Sequence, residues 1–187
     1  MFSNLKFQVK KAFVNPLAKH LKINPNVITL IAIVIMAAAS YSAIYISLIL
    51  AGILVFVSGF FDMTDGSIAK LHKKETKFGA FFDRTADRIS DLLILAALTV
   101  ILSPVYMHLL LGLVVMALVI LSSYMSSCIE SLTKTKAGEA LSWRGVRLLV
   151  ITIGLIASQP LYTMVILFII SIYTAVERFY TAYNVLK

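Results

Sequence analysis

Val27 to Phe61 reads VITLIAIVIMAAASYSAIYISLILAGILVFVSGFF, 35 residues without a charged side chain. A bilayer core takes ~20 helical residues, so this run is too long for one crossing and suits two. Leu92 to Ile129 and Leu148 to Val176 are equally free of Asp, Glu, Lys and Arg. Each run has a break near its middle: Ser40-Tyr41-Ser42, Ser103-Pro104 and Ser158-Gln159-Pro160. Proline stops a helix because it lacks the N–H and clashes with the preceding turn. The first break has neither Gly nor Pro. The chain is therefore expected to be an all-α integral membrane protein with six transmembrane helices, at about 26–42, 44–68, 79–102, 105–130, 144–157 and 160–181.

Composition agrees. Of 187 residues, 60% are hydrophobic and 14% charged, with mean hydropathy +0.93. Soluble domains carry about 25% charged residues, so a soluble globular fold and a disordered chain are both excluded. Seventeen Lys and Arg against nine Asp and Glu give +8. In so apolar a chain that excess points to anionic lipid or a phosphorylated substrate rather than nucleic acid. A lone cysteine, Cys128, makes no internal disulfide.

Every basic residue falls on one side of the expected spans: five in 6–22, six in 70–88, four in 134–147, then Arg178 and Lys187. The positive-inside rule puts both termini and both basic loops in the cytoplasm of a multi-pass protein of the cell membrane. Phe2, Leu5, Val9, Phe13 and Leu17 recur every three or four residues with lysines between them. That pattern predicts an amphipathic helix lying in the interface over 1–24, ahead of a membrane domain over 25–187. Lysines interrupt the segment too often for a cleavable signal peptide.

Five acids crowd the cytoplasmic ends of the second and third spans. Asp62 and Asp65 are three apart; Asp83 and Asp87 are four apart, with Asp91 one turn deeper. Each pair shares a helix face, and the short intervening loop predicts that the two helices are antiparallel neighbours. A central Asp costs ~2.5–3.5 kcal/mol on insertion scales, and like charges at helix spacing repel. Four such groups together need positive charge, and all-oxygen ligation suits Mg²⁺ or Mn²⁺. Gly66 and Gly79 adjoin the acids. A helical glycine costs ~1 kcal/mol against alanine, and close approach of a bulky ligand is one reason to keep it, helix packing another.

Asp62-Met-Thr-Asp65-Gly66-Ser-Ile-Ala69-Lys70, eight residues, then Gly79-Ala-Phe-Phe-Asp83-Arg-Thr-Ala-Asp87 resembles the signature of the CDP-alcohol phosphotransferases, D-x-x-D-G-x-x-A-R, eight residues, G-x-x-x-D-x-x-x-D. Seven of eight fixed positions match; Lys70 stands for the Arg, keeping its charge but losing the bidentate fork. The Pro25-Asn26-x-x-Thr29 opening of the first span is also similar. The resemblance implies transfer of a phosphatidyl-type, or archaetidyl, group from a CDP-linked lipid to the hydroxyl of a small polar alcohol, releasing CMP. It implies two divalent cations, Mg²⁺ or Mn²⁺, held by Asp62, Asp65, Asp83 and Asp87, with Asp87 also the general base. Asn26, Thr29, Asp65, Gly66, Lys70 and Gly79 would hold the nucleotide and diphosphate, and a homodimer is the family's common state.

For the acceptor, Lys134 and Lys136 in the second basic loop and Arg144 and Arg147, three apart at the start of the fifth span, are candidates to grip a phosphate. Inositol phosphate is favoured over glycerol phosphate, because Ser123-Tyr124 through Arg147-Leu148 is similar to inositol-phosphate-using members. Those members usually carry arginines where this chain has Ser126, Ser127 and Cys128. The competing class is a divalent-cation transporter or channel. It needs polar groups continuing through the midplane, whereas the acids here stop near one end.

Overall fold

A computed structural model describes residues 23–133 and 143–187. These residues form six helices and no strand: α1 Pro25–Tyr45, α2 Leu48–Leu71, α3 Lys77–Leu102, α4 Tyr106–Thr133, α5 Trp143–Ile156 and α6 Pro160–Leu186. The interfacial helix expected over 1–24 lies outside the described residues, apart from Ile23 and Asn24. Asn24 is the cap of α1, its side chain accepting from the Asn26 N–H at 3.1 Å, with Pro25 in the first turn where a missing N–H costs nothing.

The prolines mark boundaries where expected: α3 ends at Leu102 ahead of Ser103-Pro104, and α6 opens on Pro160. The first break does not fall at Ser40–Ser42. The helix runs through it to Tyr45, and the turn is made by Ile46 and Ser47. The serine hydroxyls explain this. Ser40 donates back to the Met36 carbonyl at 3.0 Å and stays helical. Ser42 donates across the turn to the Ser47 carbonyl at 3.1 Å, while Ser47 caps α2.

Four helices, α1, α2, α4 and α6, are long and apolar enough to cross a membrane. The stretch of α3 from Lys77 to Asp91 carries Lys77, Asp83, Arg84, Asp87, Arg88 and Asp91, and α5 has 14 residues, about 21 Å at 1.5 Å per residue. Large apolar side chains point outward all round: Val34 on α1, Phe56 on α2, Ile153 on α5 and Ile169 on α6 are each more than half exposed. Water would tolerate so broad an apolar surface poorly. Lipid does not oppose it.

Inside, Met36, Val55, Ile94, Leu98, Val119, Leu155 and Leu167 form a core to which every helix contributes. Helix α1 packs on α2 and α3, α4 on α3 and α6, and α5 on α2 and α6. The expected α2–α3 neighbours are not a closely packed pair among the described residues. Instead α1 lies against both. At the turn between them Lys73 takes a left-handed conformation (φ 53°), and the Lys74 N–H closes α2 on the Ala69 carbonyl at 2.9 Å. At the opposite end the helices touch through glycines. A Cβ on Gly52 would meet Ile156 Cγ1 at 2.8 Å, and one on Gly112 or Gly154 would collide with Thr99 or Thr163.

Candidate active site

The last turns of α2 and the first turns of α3 and α5 bring opposite charges together. Asp62, Asp83 and Asp87 each offer a carboxylate oxygen, and these oxygens lie within 4.8 Å of one another. Asp83, Asp87 and Asp91 follow at four-residue intervals, so one stripe of α3 faces the cluster.

Arg144, at the start of α5, enters this stripe. Its Nη1 stands 2.5 Å from Asp62 Oδ2 and 2.8 Å from Asp87 Oδ1, and its Nε 3.5 Å from Asp91 Oδ1. Asp87 Oδ1 is nonetheless buried without a hydrogen bond. One turn on, Arg147 donates to Asp91 at 3.1 Å, both side chains being buried. Arg88 lies 3.6 Å from both Asp87 and Asp91 and donates to Ser123 on α4. Arg84 pairs with Glu130 at 2.8 Å on the rim.

Asp65 is set slightly apart and is almost wholly buried. Its Oδ2 accepts from the Thr29 hydroxyl at 2.5 Å, and its Oδ1 from the Gly66 N–H. The start of α1 is thereby tied to the end of α2. Gly66 itself borders open space, with nothing within 4 Å of where a Cβ would stand, so helix packing does not explain it. Gly79 differs: a Cβ there would come within 3.0 Å of the capping Thr76 hydroxyl and 3.4 Å of Asn26 Oδ1. Lys70 is exposed on the last turn of α2, one turn beyond Gly66. Beside Asp87 a cavity of about 330 Å³ opens between α3 and α4, lined by Arg84, Arg88, Ser123, Tyr124, Ser127 and Glu130.

The structure thus brings Asp62, Asp83 and Asp87 together, and sets Thr29 and Gly66 against Asp65 and Asn26 beside Gly79. Lys134 and Lys136 lie outside the described residues. Arg144 and Arg147, expected to look into an acceptor cavity, are instead ion-paired with the aspartates, because a buried guanidinium takes the nearest carboxylates. Sequence reasoning also missed Asp91 as the meeting point of three arginines. Its place on the same stripe as Asp83 and Asp87 was the available signal.

As a metal centre the donor set fits. Three hard carboxylates converge; such a set suits Mg²⁺ or Mn²⁺.

A family model described as CDP-alcohol phosphatidyltransferase matches residues 22–186. The archaetidylinositol phosphate synthase of Pyrococcus horikoshii is 32% identical over 191 residues, covering 97% of this chain and 96% of its own. That of Methanothermobacter thermautotrophicus is 28% identical over 185 residues, covering 96% and 93%. Among solved structures, Mycobacterium tuberculosis phosphatidylinositol phosphate synthase with CDP-DAG bound superposes with a TM-score of 0.80 at 23% identity, covering 91% of this chain and 94% of that one. The same synthase in complex with manganese and citrate gives 0.78, again at 23% identity, covering 91% and 89%.

Proposed function

The chain belongs to the CDP-alcohol phosphatidyltransferase family, and from that premise we propose that it transfers a phosphatidyl-type group, archaetidyl by preference, from a CDP-linked lipid to inositol phosphate. Family membership makes it a transferase of phosphate-containing groups in phospholipid biosynthesis. The observation that carries the specific proposal is the convergence of Asp62, Asp83 and Asp87 at one mouth of the helix bundle. Relatedness to two archaetidylinositol phosphate synthases over nearly their full lengths supports the acceptor and the donor.

Asp62, Asp65, Asp83 and Asp87 would hold two divalent cations. Bound there, such cations supply charge neutralisation at the diphosphate and at the departing CMP oxygen. The chain's own residues do the rest. Asn26, Thr29, Gly66, Lys70 and Gly79 receive the nucleotide and diphosphate, Gly66 by leaving its flank bare. Asp87 borders the α3–α4 cavity and takes the proton from the acceptor hydroxyl as its oxygen bonds to the lipid-bearing phosphorus. The bond from that phosphorus to CMP breaks. Lys134 and Lys136, with Arg144 once it leaves the aspartates, bind the acceptor's phosphate, while Arg147 stays buried against Asp91.

In this proposal all six helices cross the cell membrane, α3 with its charged first turns projecting inward. Both termini and the site face the cytoplasm, and the protein is a homodimer. A transporter draws no support, because Met36, Val55, Ile94 and Leu98 fill the interior beyond the acids.

Purified protein with a CDP-archaeal lipid and Mg²⁺, offered inositol phosphate, glycerol phosphate and serine in turn, is expected to release CMP with inositol phosphate. Release with glycerol phosphate alone transfers the assignment to that acceptor. Silence with all three, under conditions where a relative turns over, refutes the proposal.

A further inference from the structure

The Arg144 guanidinium sits against carboxylates that would hold a cation. Its Nη1 is 2.5 Å from Asp62 and 2.8 Å from Asp87, two of the three residues whose oxygens converge. A divalent ion held by those carboxylates would compete with this guanidinium for them. A third carboxylate stands beside it: its Nε, buried without a hydrogen bond, lies 3.5 Å from Asp91, deeper in the bundle, and Asp91 is anchored to Arg147. The Asp91 contact lets the side chain release Asp62 and Asp87 while keeping one counter-charge.

We propose that Arg144 is a built-in counter-ion of the carboxylate cluster, displaced from Asp62 and Asp87 when divalent cations bind. This rests on the metal-dependent function proposed above and adds an order to it. Until the cations arrive, the guanidinium neutralises acids that would otherwise repel. Once they arrive, it is freed beside the site of proton transfer, where it can take a phosphate-bearing acceptor. Cation binding thereby precedes acceptor binding, and Arg144 opposes the first while serving the second.

The test is Mn²⁺ binding to metal-stripped protein in detergent, read from the electron paramagnetic resonance signal of the free ion. Arg144→Gln is expected to bind Mn²⁺ at least about tenfold more tightly than the unaltered protein, since the ion no longer has to displace a paired positive charge from the carboxylates. Arg84→Gln removes the same charge from the exposed rim and is expected to change affinity by less than about threefold. Equal or weaker binding by Arg144→Gln overturns the counter-ion role and leaves the metal-dependent function standing. Absence of saturable binding in both the unaltered protein and Arg144→Gln overturns both. A second measurement needs no variant. Phenylglyoxal modification of Arg144, followed by peptide mass spectrometry, is expected to be faster in saturating Mn²⁺, and an unchanged or slower rate overturns the displacement.

Discussion

Replacing Asp87 by Asn keeps the size and shape of the side chain and removes its basicity. The consequences for stability follow from its neighbours. Arg144 loses one of three carboxylates, keeping Asp62 at 2.5 Å and Asp91 at 3.5 Å; Arg88 keeps Asp91 at 3.6 Å. With both cations still partnered, the cost is about 1 kcal/mol, the scale of one charge-assisted contact traded for a neutral one. The amide oxygen remains a hard ligand, so Mn²⁺ affinity is expected to fall by less than about tenfold. Chemistry suffers more: a positioned base contributes ~10²–10⁴-fold, and CMP release at saturating donor and acceptor should fall by that factor. The assay is initial-rate CMP formation, with Mn²⁺ affinity and thermal denaturation measured on the same preparation. A kcat within about threefold of the unaltered enzyme, in protein that is folded and metal-loaded, refutes the assignment of Asp87 as base.

Asp83→Ala deletes a carboxylate of the convergent set outright, and Mn²⁺ affinity in the same resonance measurement should drop by at least about tenfold, since no other oxygen is added. Gly66→Ala places a methyl in open space, so thermal denaturation should be unchanged or slightly improved, while the KM for the CDP-lipid rises if that flank receives the nucleotide; an unaltered KM returns Gly66 to a neutral position. Asp91→Asn leaves the buried Arg147 without its carboxylate and is expected to cost about 3–5 kcal/mol, a fall in Tm of roughly 10 °C for a chain of this size. Thr29→Val removes the donor to buried Asp65, costing about 1–3 kcal/mol, and should weaken donor binding more than acceptor binding in steady-state kinetics.

Much of the architecture was legible because lipid forbids unpaired charge and because proline ends helices. Pro25, Pro104 and Pro160 stand at boundaries, and the gaps between charges mark the apolar helices. The turn at Ile46-Ser47 was not legible, since it uses neither Gly nor Pro, and Ser40, the apparent breaker, satisfies its hydroxyl inside α1. At the site, helical spacing revealed which acids share a face, and the signature connected Asp62 to Asp87. What spacing along one chain does not encode is pairing across helices. Arg144 meets Asp62 from 82 residues away, and Thr29 meets Asp65 from 36. The loose packing of α2 on α3 was equally hidden, because a short loop ordinarily implies close neighbours, whereas here each packs on α1 instead.

The glycine contacts at Gly52, Gly112 and Gly154 all lie away from the aspartates. The helices are therefore drawn tight backbone to side chain at the end away from the acids, whereas at the acidic end they are joined by polar side chains, Thr29 to Asp65 and Arg144 to Asp62 and Asp87. Substitutions that swell the glycine end should accordingly register as lost robustness long before they disturb the carboxylate cluster.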